Sequence, residues 1–127
     1  MSEPCIGFTT TKGLMLDIDH CRIHKVKNIA KTLMKVYKLE GYLIIKSSKD
    51  NYHIVFNKYL TWKKITKILF NQYICIRWAI WQMRKGELTL RISRKNGKNK
   101  PKIIITTGKT DKLINDYLTI YNQFEEY

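Results

Sequence analysis

Apolar positions along the chain switch between two spacings, and the switches mark out its elements. Residues 13–19, GLMLDID, read as a strand. Residues 25–38, KVKNIAKTLMKVYK, place Val26, Ile29, Ala30, Leu33 and Tyr37 at helical intervals, with Gly41 just beyond as a stop signal. Two strands follow, 42–48 (YLIIKSS) and 52–56 (YHIVF), and the KDN between them suits a tight turn, so the pair is expected to form a hairpin. Thr61 is a fitting N-cap for a helix over 62–72 that buries Trp62, Ile65, Ile68 and Leu69. The stretch 73–86, YICIRWAIWQMRKG, fits helix or strand, because periodicity does not separate short apolar runs.

Beyond it, ELTLRIS (87–93) alternates cleanly, with Leu88, Leu90 and Ile92 on one side and Thr89, Arg91 and Ser93 on the other. RKNGKNK then reads as a basic hairpin turn centred on Asn96-Gly97, with PKIIITT (101–107) as the returning strand. Asp111 is the expected cap of a last helix whose inward face carries Leu113, Ile114, Tyr117, Leu118, Tyr121 and Phe124. The order is strand, helix, strand, strand, helix, strand, then an added strand and helix. The first six elements match the split β-α-β arrangement of ferredoxin-like and RNA-recognition-motif-like α+β folds. Such an antiparallel sheet carries helices on one face and leaves the other open to host a site.

Length and composition narrow the class. The 127 residues suit a single domain, 1–127, and six glycines with two prolines leave no room for a long linker. No start resembling a signal peptide and no run near the ~18 apolar residues of a membrane span is present, so a soluble, intracellular (cytoplasmic) protein with no membrane partner is expected. Cys5, Cys21 and Cys75 form an odd count without a framework spacing and are read as reduced thiols. The charge changes the picture most. Twenty-four Lys and Arg stand against ten Asp and Glu, and between Asn51 and Lys109 a single acid, Glu87, faces fourteen basic residues. This is the electrostatic footprint of a polyanion binder, nucleic acid first and an anionic surface second.

Against that background two of the ten acids, Asp17 and Asp19, sit two apart on one strand. Residues so spaced project from the same face. Carboxylates that close repel unless something positive lies between them, and a hard divalent cation such as Mg²⁺ or Mn²⁺ answers as well as neighbouring lysines do.

The first motif, LMLDID, together with the later KSSKDNYHIVF (46–56), resembles the archaeo-eukaryotic primases, including primase-polymerases. In that family a strand with an hhhDhD pattern (h is hydrophobic) precedes a hairpin carrying a Ser and a His. Ser47 and His53 stand at the matching six-residue separation, with Lys49 where the family often has a basic residue. LRISRKNGK resembles the basic segment after the third motif. The likeness spans roughly residues 13–105. It implies that Asp17 and Asp19 are catalytic and hold Mg²⁺ or Mn²⁺. It implies that Ser47, Lys49, His53 and Arg91 contact the triphosphate of a nucleoside triphosphate. Arg94, Lys95, Lys98 and Lys100 would grip a single-stranded or primer-template nucleic acid. The implied activity is that of a nucleotidyltransferase in DNA replication, with a replication protein as a further partner; the alternative is a non-catalytic basic binding module of a replication complex.

The family's third acid has no counterpart in YICIRWAIW, and the Pro of its basic segment is replaced by Ser93. Glu87 is the remaining carboxylate near that position. A third acid facing Asp17 and Asp19 would favour the enzyme; a basic residue there would favour the binder. Asp19, His20, Cys21 and His24 include zinc-capable side chains, but no closing pair accompanies them, so His20 and His24 read as a loop near the acidic pair. Trp78 and Trp81 read as core rather than as stacking platforms.

Overall fold

The computed structural model describes residues 5–70, 76–95 and 97–124, and gives an α+β fold, broadly ferredoxin-like. Its elements are β1 (Gly7–Thr10), β2 (Gly13–Ile18), α1 (Ile23–Val36), β3 (Gly41–Ser48), β4 (Asn51–Tyr59), α2 (Trp62–Leu69), α3 (Ile76–Lys85), β5 (Leu88–Arg91), β6 (Lys102–Gly108) and α4 (Leu113–Gln123). The stretch that fitted either type is helical over α3, and residues 71–75 lie outside the described set.

The main sheet runs β2-β4-β3-β6, every pair antiparallel. β4 lies between β2 and β3, the two strands that α1 joins, which is the split β-α-β arrangement. Val26, Ile29, Ala30 and Leu33 form the buried stripe of α1, which packs on β3 and β4. The helix stops earlier than Gly41: Lys38 takes a left-handed conformation, φ 54°, and Leu39 N–H reaches back to Met34 O at 2.8 Å. Gly41 serves strand packing instead. It faces Gly108 across β3–β6, and a Cβ on either would strike the opposing backbone, at Lys109 O and at Glu40 O respectively. Thr61 caps α2 as expected, its Oγ1 accepting from Lys64 N–H at 3.3 Å.

Three expectations are corrected. First, β5 and β6 do not pair with each other. The turn between them is tight, with Lys95 and Lys98 exchanging backbone bonds of 3.1 and 2.7 Å, and Asn96 lies outside the described residues. The chain then diverges: β5 pairs with β1 in a separate two-stranded sheet, and β6 joins the far edge of β3. Second, helices are not confined to one face. α4 reaches β4 on the face that carries Asn57 and Tyr59: Asp111 and Asp116 accept hydrogen bonds from those two side chains. Third, Asp111 does not cap α4. Lys112 takes that position with φ 51°, and the Asp111 carboxylate accepts from Asn57 Nδ2 at 2.9 Å.

Because both faces of the sheet are covered over most of their length, β3 and β4 are buried through nearly unbroken runs, Gly41–Ile45 and Tyr52–Asn57. The alternating strand β5 sends Leu88 and Leu90 into the same core. Among the described residues, no helix is long and apolar enough to cross a membrane.

Candidate functional site

α4 leaves one end of the second face uncovered, and a cavity of about 480 Å³ opens there. Asp17 and His53 are direct cross-strand partners on β2 and β4, and Ser47 comes from the end of β3. Asp19 and His20 follow β2, while Thr89, Leu90 and Arg91 form the wall contributed by β5. Of the residues singled out in the sequence, Asp17, Asp19, Ser47, His53, Arg91, Lys95 and Lys98 all line this one cavity. Lys49 and Arg94 are exposed and are not among its walls. Lys100 turns away altogether: its Nζ donates to Tyr121 O at 3.0 Å and Phe124 O at 2.8 Å and lies 4.0 Å from the centre of the Tyr121 ring. That lysine fastens the end of α4.

The hairpin tip is tied to the loop after β2. Asn51 Oδ1 accepts from His20 N–H at 3.0 Å, Asn51 Nδ2 donates to Ser48 Oγ at 2.7 Å, and Cys21 N–H donates to Asp50 O at 2.9 Å. Asp50, with φ 58°, makes the turn that the KDN triplet announced. Ser47 Oγ donates to Asn51 O at 3.1 Å. Asn51 is thus an organiser that sequence reasoning passed over; its signal was an amide-bearing residue closing a turn between two site residues. Arg91 is both wall and strap. Its guanidinium donates to Ser47 O at 3.0 Å, to Asn99 O at 2.9 Å and to Ser93 O, so β3 and the basic turn hang on one side chain. Ser93 is buried and accepts from Ile6 N–H at 2.7 Å.

The electrostatics are unsettled in a specific way. Burial, then the charge of Asp19, raises the Asp17 pKa from 3.8 to about 7, although Lys98 and Arg91 pull it back. Burial, then the nearby Arg91, lowers the His53 pKa from 6.5 to about 3. His53 Nε2 lies 3.8 Å from Asp17 Oδ1, too far for a hydrogen bond, and both shifts favour neutral groups, so the contact is not a working ion pair. His53 is 5% exposed, and its Nδ1 is buried with no hydrogen-bond partner among the described residues. Such a group costs free energy until a ligand satisfies it.

Two carboxylates held close under burial suit a hard cation by their oxygen chemistry. Among the described residues no group of three or more His, Cys, Asp or Glu is placed to hold a metal ion, so an ion at Asp17 and Asp19 would draw its other ligands from substrate or water. Glu87 supplies no third acid: it lines a different cleft with Thr9, Thr10, Thr11, Lys12 and Tyr59. Cys21 is buried and free, and among the described residues no group of zinc-capable side chains gathers around it; Cys5 is exposed and free at the cavity wall, and Cys75 lies outside the described residues. Trp78 is half-buried, donates Nε1–H to Thr89 O at 3.1 Å and lines the cavity. Trp81 departs from the expected core position and is 58% exposed.

No family, curated protein or solved structure matches the chain.

Proposed function

We propose that the chain is a primase-polymerase-like nucleotidyltransferase with an RNA-recognition-motif-like sheet, acting on a single-stranded template in DNA replication with Mg²⁺ or Mn²⁺ held by Asp17 and Asp19. One observation carries the reading: Asp17, Asp19, Ser47, His53 and Arg91, read from three separate motifs, line a single cavity together with Lys98. Three unrelated stretches would have no reason to converge if each served only local structure.

The chemistry needed is mainly positioning and charge compensation. Asp17 and Asp19 would hold the divalent ion, which would supply charge compensation for the triphosphate and a lowered pKa for the 3′-hydroxyl. The chain's own groups do the rest. Asp17 and Asp19 supply the negative charge that attracts the ion. Lys98, with the outer part of the Arg91 guanidinium, offsets phosphate charge across the cavity. The neutral His53 ring offers a hydrogen bond to a phosphate oxygen through one nitrogen only, and Ser47 Oγ–H would do the same by exchanging Asn51 O for phosphate. The expected outcome is nucleoside triphosphate binding in the presence of Mn²⁺ that the Asp17→Asn/Asp19→Asn protein loses by an order of magnitude or more. Titration calorimetry reads this, and equal binding by the two proteins would remove the catalytic reading.

A second reading keeps the same surface without catalysis, as a basic nucleic-acid-binding subunit beside a replication protein. Glu87 faces another cleft, while Arg91, Lys95 and Lys98 surround the acidic pair, which favours it. Primer extension separates the two: nucleotide and oligonucleotide binding with no incorporation selects the module.

A further inference from the structure

The outer face of α3 has no role in the cavity, and its composition is unusual. Arg77, Ile80, Trp81, Arg84 and Lys85 fall at intervals of three and four along Ile76–Lys85 and are all exposed. Helical geometry puts them in one stripe. Ile80 is 43% and Trp81 58% exposed, so an indole and a branched alkyl group stand in water between three cations, with no acid in the stripe. Lys85 is steadied by donating to Thr89 Oγ1 at 2.8 Å. The opposite side of the helix is occupied by packing. Ala79 and Gln82 are buried, and Gln82 Oε1 accepts from Thr89 N–H at 2.8 Å. Nothing in the core therefore requires Trp81 to point outward.

We propose that this stripe is a binding track for single-stranded nucleic acid, with unpaired bases stacking on Trp81 and phosphates running along Arg77, Arg84 and Lys85. An aromatic plane set among cations is what an unpaired strand recognises, because every base has a face to stack and every linkage a negative charge. A second copy of this chain is a poor occupant: a two-fold contact would set the cations of one copy against those of the other. Position adds to the argument. Trp78, one turn from Trp81 on the same helix, lines the cavity, and so does Thr89, which Lys85 and Gln82 hold. A strand on the track ends beside the acidic pair. This placement deepens the nucleotidyltransferase reading by naming the template's route, but the track binds or fails to bind without nucleotide or metal.

The test uses the whole protein and a fluorescent oligothymidylate, in anisotropy titrations at several salt concentrations without nucleotide or divalent ion. Trp81→Ala is expected to weaken binding by about tenfold or more, and Trp81→Phe to restore most of it. Arg77→Ala/Arg84→Ala is expected to make the plot of log affinity against log salt shallower by roughly 0.7 per lost phosphate contact. All substitutions are on exposed positions, and circular dichroism checks the fold. Unchanged affinity and slope in folded variants would overturn the track. So would a Trp81→Ala protein that binds the oligomer normally but changes sedimentation, which would assign the stripe to a protein contact. Nucleotide binding with Mn²⁺, measured separately, stays intact in Trp81→Ala, so loss of the track and loss of the cavity reading are told apart.

Discussion

The face of the main sheet that carries His53 has two ends, and they treat buried polar groups in opposite ways. At one end Asn57 is fully buried and both its polar atoms are partnered: Oδ1 accepts from Glu40 N–H at 2.9 Å and Gly41 N–H at 3.0 Å, and Nδ2 donates to Asp111 at 2.9 Å. The Asn57 hydrogen bond holds Asp111 below the usual carboxylate range. At the other end, four residues back along β4, His53 lacks a partner at Nδ1 among the described residues, and its cross-strand neighbour Asp17 is pushed up by burial and by Asp19. α4 closes the first end and stops short of the second. Satisfied polar groups there hold structure together; on the proposed function, the unsatisfied ones here would be partnered by a bound ligand.

The comparison can be broken by substitution. The largest expected effect is on the satisfied end: Asn57→Ala leaves two backbone N–H groups without their acceptor and costs about 2–4 kcal/mol of stability, read as a lowered urea midpoint. The unsatisfied end responds with the opposite sign. The folded-state pKa of Asp17 lies above its unfolded value, so the folded chain binds the extra proton between about pH 4 and 7 and loses stability as pH rises through that window. Asp17→Asn is then expected to stabilise the protein by about 1–3 kcal/mol at pH 8 and to change little at pH 4. A destabilised Asp17→Asn at pH 8 would mean that the carboxylate is structural after all.

His53 runs the other way. Its pKa is lowered on folding, so its contribution is present above about pH 6.5 and is lost as pH falls toward 3. In the native chain the two slopes oppose each other between pH 4 and 6.5. Asp17→Asn should therefore steepen the loss of stability on acidification, and His53→Gln should reduce it. Chemical denaturation at several pH values reads both differences. Next in size, Lys98→Ala removes a cation that pulls the Asp17 pKa down and should weaken Mn²⁺–nucleotide binding by roughly three- to tenfold. The smallest effect is expected at exposed Asp111: Asp111→Asn keeps a hydrogen-bond acceptor for Asn57 and should shift the urea midpoint only slightly.

What the sequence made legible was local. The helical stripe of α1, the hairpin of β3 and β4, and the Thr61 cap depend on neighbours a few residues away, and all three stand. The meeting of Asp17, His53 and Ser47 was expected from the likeness to the primase motifs rather than from alternation alone, and the β2–β4 pairing and one tight turn bring the three to one cavity. Pairing across long separations was not. β1 is four residues of GFTT with little apolar signal, and its partner β5 lies some eighty positions away. The Asn96-Gly97 turn suggested that β5 and β6 were partners, since a turn is visible and a distant strand edge is not. The covering of the second face did leave a mark in the unbroken runs YLII and YHIVF, for a strand wetted on one side alternates and one buried on both does not. Lys100 left none: among neighbouring lysines, nothing local distinguishes the one lodged under α4.

The walls of the cavity belong to two separate ladders, β1–β5 and β2-β4-β3-β6, and Arg91 spans them through its bond to Ser47 O. A cleft cut into one continuous sheet has its aperture fixed by cross-strand bonding. Here the aperture is set instead by the packing of Leu88 and Leu90 in the common core and by the bond from Arg91 to Ser47 O. Replacing Arg91 would remove a tie between the two ladders as well as a positive charge.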